Sequence, residues 1–166
     1  YKCNNNTEEV CSRIIEVQPI FFEIIKNFTT SAYGEIYLLA YKMFINNPIT
    51  GIGINNFKYI CETNDFYKNL MINYNCASHP HNIYIQWLSE GGLFVFFIFI
   101  LYLIFLFKFI VQNEGEKKFK IISLIVILIM FWPIMSTGSL IKNWYGIITF
   151  FIIGVSMRLS KFRNID

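Results

Sequence analysis

Charge is what this sequence has least of. Asp, Glu, Lys and Arg make up 15% of its 166 residues, against roughly 25% in an ordinary globular domain. The net charge of +3 is too small to argue for nucleic acid as a partner. Histidine is scarcer still, with two in the chain, His79 and His81. Two His with no third ligand placed beside them make a poor zinc site, so no metal is expected. The first thirty residues carry no signal-peptide pattern and the chain opens at Tyr1. Upstream transmembrane helices of the same protein are therefore expected. What the chain has in surplus is hydrocarbon: 55% hydrophobic residues, with eighteen Phe and ten Tyr. A soluble core of this size would struggle to bury them, and membrane lipid is their natural solvent.

The surplus is unevenly placed. Residues 1–92 are mixed and hold all four Cys, both His and three of the four Pro. Beyond them lie three apolar runs: Leu93 to Val111, Phe119 to Met135 with Trp132-Pro133 near its end, and Trp144 to Met157. The first has the length that a bilayer core demands of a helix, about 20 residues. Its one charge, Lys108, sits near an end where the stem can snorkel. The spacing predicts an all-α membrane protein with three transmembrane helices, preceded by a helical external region and followed by a short tail at 158–166. A buried hairpin of a soluble protein is the competing reading, but three such runs in succession leave nothing to cover them.

Basic residues set the orientation. Lys108, Lys117, Lys118 and Lys120 bracket the loop after the first run, and Arg158, Lys161 and Arg163 follow the third, while the 136–143 turn carries only Lys142. By the positive-inside rule the 112–120 loop and the C-terminus are cytoplasmic, and residues 1–92 lie outside, in a periplasm. All four Cys fall in that external segment, in a compartment that permits disulfides. Four Cys allow three connectivities. Cys61–Cys76 is favoured, with Cys3–Cys11 the second pair, and unpaired thiols remain the alternative.

Within the external segment the sequence predicts one helix around Cys11 to Asn27, interrupted near Pro19, and a second over Gly34 to Asn46, stopped by Asn47-Pro48. PITGIG (48–53) then reads as a turn. No strand precedes its GxG and no GKT follows, so a nucleotide loop is disfavoured. Gly51 and Gly53 there supply backbone angles or close approach that other residues forbid. The informative stretch is SHPHNIYIQWLSEGGL (78–93), which puts two His, an Asn and a Glu just ahead of a membrane span. His is the usual general base near neutral pH, although a lone His is more often structural.

PITGIGINNF followed by CASHPHNIYIQWLSEGGL resembles the O-antigen ligase and polymerase family. Its pattern is P-x-x-G-x-G-x-x-x-F, then H-P-H-N-x-Y-L-x-x-L-x-E-x-G-L before a transmembrane helix. The later WPIMSTGSLIKNW looks like that family's last external turn. The resemblance implies a polytopic, GT-C-like helical bundle of the bacterial inner membrane and a metal-independent, inverting transfer of glycan from an undecaprenyl-diphosphate carrier. The acceptor it implies is a hydroxyl of lipid A core, of another glycan repeat, or of a protein Ser or Thr. His81, followed by Asn82, matches the motif's more constant His and is the candidate base, and His79 orients it or contacts phosphate. Glu90 matches the Glu ahead of the span, where it caps the re-entering helix or pairs with a base.

Two positions depart from the pattern. Tyr33 stands where the family commonly carries an Arg, and Val95 replaces a frequent Gly. The only external Arg is Arg13, so binding of the diphosphate falls to Arg13, Lys42 or Lys58, or to residues upstream. Two other classes predict different features. A transporter would place polar or charged residues along a path within the spans, which hold almost none. A non-catalytic membrane scaffold or inactive fragment would not need His79, His81 and Asn82 so close together, although the missing Arg fits it.

Overall fold

The computed structural model describes residues 26–134 and 136–163, with the side chain of residue 143 left aside. Among these residues it is all-helical. A 3₁₀ turn at Phe28–Thr30 is followed by six α-helices: α1 (Ala32–Asn46), α2 (Phe57–Thr63), α3 (Asp65–Lys68), α4 (Ile83–Gln112), α5 (Lys117–Met130) and α6 (Asn143–Leu159). The expected helix around Cys11 to Asn27, like Cys3, Cys11 and Arg13, lies outside or at the margin of the described residues.

α1 begins two residues before the expected Gly34 because Ser31 caps it, its hydroxyl accepting the Gly34 N–H at 3.1 Å. Ile36, Leu39, Ala40 and Met43 recur at helical spacing and form one buried face. That face packs on Phe57 and Cys61 of α2, Tyr67 of α3 and Met71. Polar ties fix the same contact: the Glu35 carboxylate accepts from the Asn73 backbone (3.2 Å) and side chain (2.6 Å), and Asn46 donates to the Tyr67 hydroxyl at 2.8 Å.

Cys61 and Cys76 form a disulfide with their Cα atoms 5.9 Å apart. It closes a loop of about 15 residues, for which chain entropy gives about 3 kcal/mol. Cys76→Ser is expected to lower the thermal midpoint of the full-length protein under oxidising conditions by an amount that reductant reproduces in wild type. Equal midpoints for wild type and variant would show that the bridge does not constrain the unfolded chain.

α4 is not one rod. Gly92 interrupts it at φ 67°, ψ −170°. Fifteen residues of straight helix would separate Tyr84 from Phe99 by about 22 Å, yet their ring centroids lie 5.5 Å apart, and Trp87 meets the same Phe99 at 5.9 Å. The chain therefore folds back at Gly92, with a short limb (83–91) lying against a long one (93–112). Ile83, Phe99, Leu103, Leu106 and Ile110 then share a core with Ile127 of α5, Phe131 at its C-cap and Ile153 of α6.

By length and composition α4 is apolar enough to cross a membrane, and α6 carries a shorter apolar stretch, Trp144–Leu159. Large apolar side chains line the outside of all three later helices, among them Phe94, Phe97, Phe105, Ile129, Ile147 and Phe151, each more than half exposed. α5 stops at Met130, short of the apolar run's end at Met135, because Pro133 cannot extend it. Its last turn closes through the Phe131 N–H on the Ile127 carbonyl.

The two ends of this bundle differ. At one, Asn113 donates to Ser160 Oγ (2.6 Å), the Glu116 N–H reaches the Phe162 carbonyl (3.0 Å), and Lys120 caps the end of α4 on the carbonyls of Val111 and Asn113. That end gathers Lys117, Lys118, Lys120, Arg158, Lys161 and Arg163. The other end holds the two His.

Candidate active site

Two loops converge on the short limb of α4. The first is the 48–53 turn, which inserts at the break: Ile52 N–H donates to the Ser89 carbonyl (3.0 Å), Gly53 N–H to Glu90 (3.0 Å), Leu93 N–H to Pro48 (2.8 Å) and Phe94 N–H to Ile49 (3.3 Å). Helix carbonyls and N–H groups orphaned by the break are thereby satisfied. Gly51 has φ 65°, and a Cβ there would strike the Glu90 carbonyl. The P-x-x-G-x-G turn and the E-x-G-L segment, 40 residues apart in sequence, are thus two halves of one joint.

The second loop, 131–142, lies over the HPHN segment. Asn82 caps the short limb, its Oδ1 accepting the N–H groups of Tyr84 (3.0 Å) and Ile85 (3.1 Å) while its Nδ2 donates to the Pro133 carbonyl at 2.7 Å. Tyr84 donates to the Phe131 carbonyl at 2.7 Å, and the Thr137 N–H to the His81 carbonyl at 2.7 Å.

A polar stripe runs down the short limb. Asn82, Gln86, Ser89 and Glu90 recur at helical spacing and are all buried. Gln86 donates to Glu90 at 2.9 Å and to Ser139 Oγ at 2.8 Å. Glu90, 1% exposed, also accepts the Phe57 N–H at 3.3 Å. It therefore caps α2 and joins both loops through Gln86, rather than capping the limb it sits on.

The rings of His79 and His81 lie with centroids 4.3 Å apart, tilted 48° to one another. They differ in what holds them. Ser78 Oγ lies 2.9 Å from His79 Nδ1, and the Thr137 carbonyl a long 3.4 Å from Nε2. A carbonyl only accepts, so Nε2 carries the proton and Nδ1 accepts from Ser78. Both nitrogens of His79 are engaged. Burial, with the neighbouring His81 and then Lys142 adding to it against the Thr137 bond, lowers its pKa to about 4. His81 is half-buried, and its ring nitrogens have no hydrogen-bond partner among the described residues. Burial and then Lys142 hold its pKa below the ordinary His value as well. Its backbone sits at φ 57°, a left-handed conformation uncommon outside glycine. Tyr33 stands edge-on to the His81 ring at 6.2 Å and reaches Ser136 Oγ at 3.4 Å.

Of the residues singled out in the sequence, His79, His81 and Asn82 come together, with Glu90 one Gln86 side chain away. Lys58 is elsewhere, paired with Glu62 at 3.6 Å on the exposed side of α2 beside Lys68 and Tyr74. Lys42 lies on α1. The cation whose field reaches both imidazoles is Lys142. Sequence reasoning passed over it and Gln86. The signals were there: Lys142 is the sole charge of its turn, and Gln86 stands four residues from both Asn82 and Glu90 on an apolar helix.

Among the described residues, an all-helical arrangement with one helix apolar enough to cross a membrane, and a His pair just ahead of its short limb, fits a helical membrane protein. A family model described as O-antigen ligase (Wzy_C) matches residues 11–100, more than half of the chain. The chain belongs to the O-antigen ligase family, and the match covers the 48–53 turn, the HPHN segment and the break at Gly92. No individual curated protein and no solved structure matches it.

Proposed function

We propose that this chain is the C-terminal part of an inverting, metal-independent glycosyltransferase of the bacterial inner membrane. It moves a glycan from an undecaprenyl-diphosphate carrier to an acceptor hydroxyl. In this reading the long limb of α4, α5 and α6 cross the membrane. The end rich in Lys and Arg is cytoplasmic, and residues 1–92 with both His are periplasmic. The observation that carries the proposal is His81: its ring nitrogens have no partner among the described residues, its backbone is left-handed at φ 57°, and it sits beside the 131–142 loop at the end of the bundle away from the Lys and Arg cluster.

The chemistry follows. The acceptor hydroxyl gives its proton to His81 as its oxygen attacks the anomeric carbon. The bond from that carbon to the diphosphate oxygen breaks, and undecaprenyl diphosphate leaves with the electron pair. His79, locked by Ser78 and Thr137, positions His81, and Asn82 and Glu90 hold the limb that carries both.

The test is transfer itself, by the full-length protein in a host that lacks its own ligase. Glycan joined to lipid A core on a gel marks a ligase, a ladder of lengthened glycan a polymerase, and glycan on protein an O-oligosaccharyltransferase. Transfer to none of the three acceptors, at confirmed expression, would overturn the proposal.

A further inference from the structure

The stretch that delivers the chain to the His pair has few ties of its own. Met71 packs into the core of α1 to α3, and Asn73 is bound by Glu35. From Tyr74 to Ala77 no hydrogen bond is made among the described residues. Such a stretch keeps its conformational freedom unless something else fixes it. The fixed point is Cys76, bonded to Cys61 on α2. Cys61 is fully buried, and Cys76 packs partly against the same core. His79 follows three residues later. α2 is also fastened to the far flank of the His-bearing segment. Its Phe57 N–H donates to the Glu90 carboxylate at 3.3 Å, and the turn ahead of it donates to the Ser89 and Glu90 carbonyls. One short helix thus braces both flanks of that segment, covalently at Cys76 and by hydrogen bonds at Glu90. The direct hold on His79 is slighter. Ser78 belongs to the stretch that the bridge anchors, and the Thr137 carbonyl lies 3.4 Å from Nε2, beyond the usual range for a strong N–H bond to oxygen.

We propose that Cys61 and Cys76 are a positioning pair for the site: their bridge sets where the His79 ring lies, and through it the His81 ring, beyond what it adds to stability. The helices have other supports. Leu39, Met43, Phe57 and Tyr67 pack on one another, and the Glu35–Asn73 and Asn46–Tyr67 hydrogen bonds hold the same contact. Loss of the bridge therefore releases the His pair while α1 to α3 stay packed. The placing of the rings stands on this geometry alone. Its effect on rate rests on the reading of His81 as the base.

The experiment follows the two rings directly. Diethyl pyrocarbonate acylates unprotonated imidazole nitrogens that it can reach, and peptide mass spectrometry reads each His of the purified full-length protein. In wild type His81 is expected to react. His79, 9% exposed with both nitrogens engaged, is expected to be spared. In the double variant Cys61→Ala with Cys76→Ala, held below its melting temperature, His79 is expected to react at least tenfold faster than in wild type. In the same variant kcat for glycan transfer is expected to fall about ten- to a hundredfold, as for a displaced catalytic group, with KM little changed. Wild type reduced with a phosphine should behave as the variant does, and reoxidation should restore it. A folded variant whose His79 stays protected would overturn the proposal, and so would an opened His79 with unchanged kcat. Loss of the fold in both the variant and reduced wild type would overturn it too, since the bridge would then act through stability alone. If wild type transfers no glycan while His79 still opens on loss of the bridge, the functional reading fails and the positioning of the rings stands.

Discussion

His81→Asn reduces glycan transfer by the full-length protein by two to four orders of magnitude, the range in which a positioned general base contributes. Asn is the informative substitution because it tolerates the left-handed φ of 57° at this position. It keeps the fold while removing the proton acceptor, so loss of rate at unchanged thermal stability separates chemistry from strain. His79→Ala is expected to cost less, at most about a hundredfold, as a displaced partner does, because its nitrogens are already engaged by Ser78 and Thr137. The pH profile adds a second readout. Burial and Lys142 lower the His81 pKa, so the acid limb of kcat/KM falls below the ordinary His value of about 6.5. His79 contributes to stability in the same direction. Its folded pKa of about 4 lies below its unfolded value, so the unfolded chain binds the proton more readily. Stability is full above about pH 6.5 and declines as pH falls toward 4. Transfer by His81→Asn within tenfold of wild type would remove His81 as the base.

Much of this was legible along the chain, for reasons that differ residue by residue. α1 falls within two residues of its expected start because a local device sets it, the Ser31 cap, and Asn47-Pro48 stop it. The long limb of α4 is readable because hydrocarbon at this length has few alternatives. As a helix the Phe119 to Met135 run ends early, at Met130 ahead of Pro133, a signal visible in the sequence but outweighed there by hydropathy. α2 and α3 went unread. They are short, and α2 takes its cap from Glu90, 33 residues away. The His pair was suggested by the HPH spacing, but which of the two rings is held and which is left open depends in part on Thr137, 58 residues on, whose carbonyl engages His79. Lys142 illustrates the limit most plainly: its charge was evident, and its proximity to the His pair is a product of chain reversal at Gly92 and the turn after α5.

Gly92→Ala is expected to destabilise the protein by about 3 kcal/mol or more. At φ 67°, ψ −170° the residue occupies a region open almost solely to glycine. A Cβ there would strike the Ile49 carbonyl and the Gly51 N–H. Relief would have to come from withdrawing the 48–53 turn, which would break the Leu93-to-Pro48 and Phe94-to-Ile49 hydrogen bonds and expose the helix ends they satisfy. Glu90, held between that turn, Phe57 and Gln86, would lose its setting, and the His-bearing limb its anchor. For a chain of this size the cost corresponds to a fall in Tm of roughly 6–12 °C, read from Trp fluorescence of the purified protein. Gly154→Ala is the control. Its Cβ would meet nothing within 4 Å, and in a helix the change is worth up to about 1 kcal/mol in favour of Ala. A Gly92→Ala protein that melts with wild type would mean that the fold-back is not the structure the membrane holds. Loss of transfer together with the fall in Tm, set against an unaffected Gly154→Ala, would tie the joint at Gly92 to the site it positions.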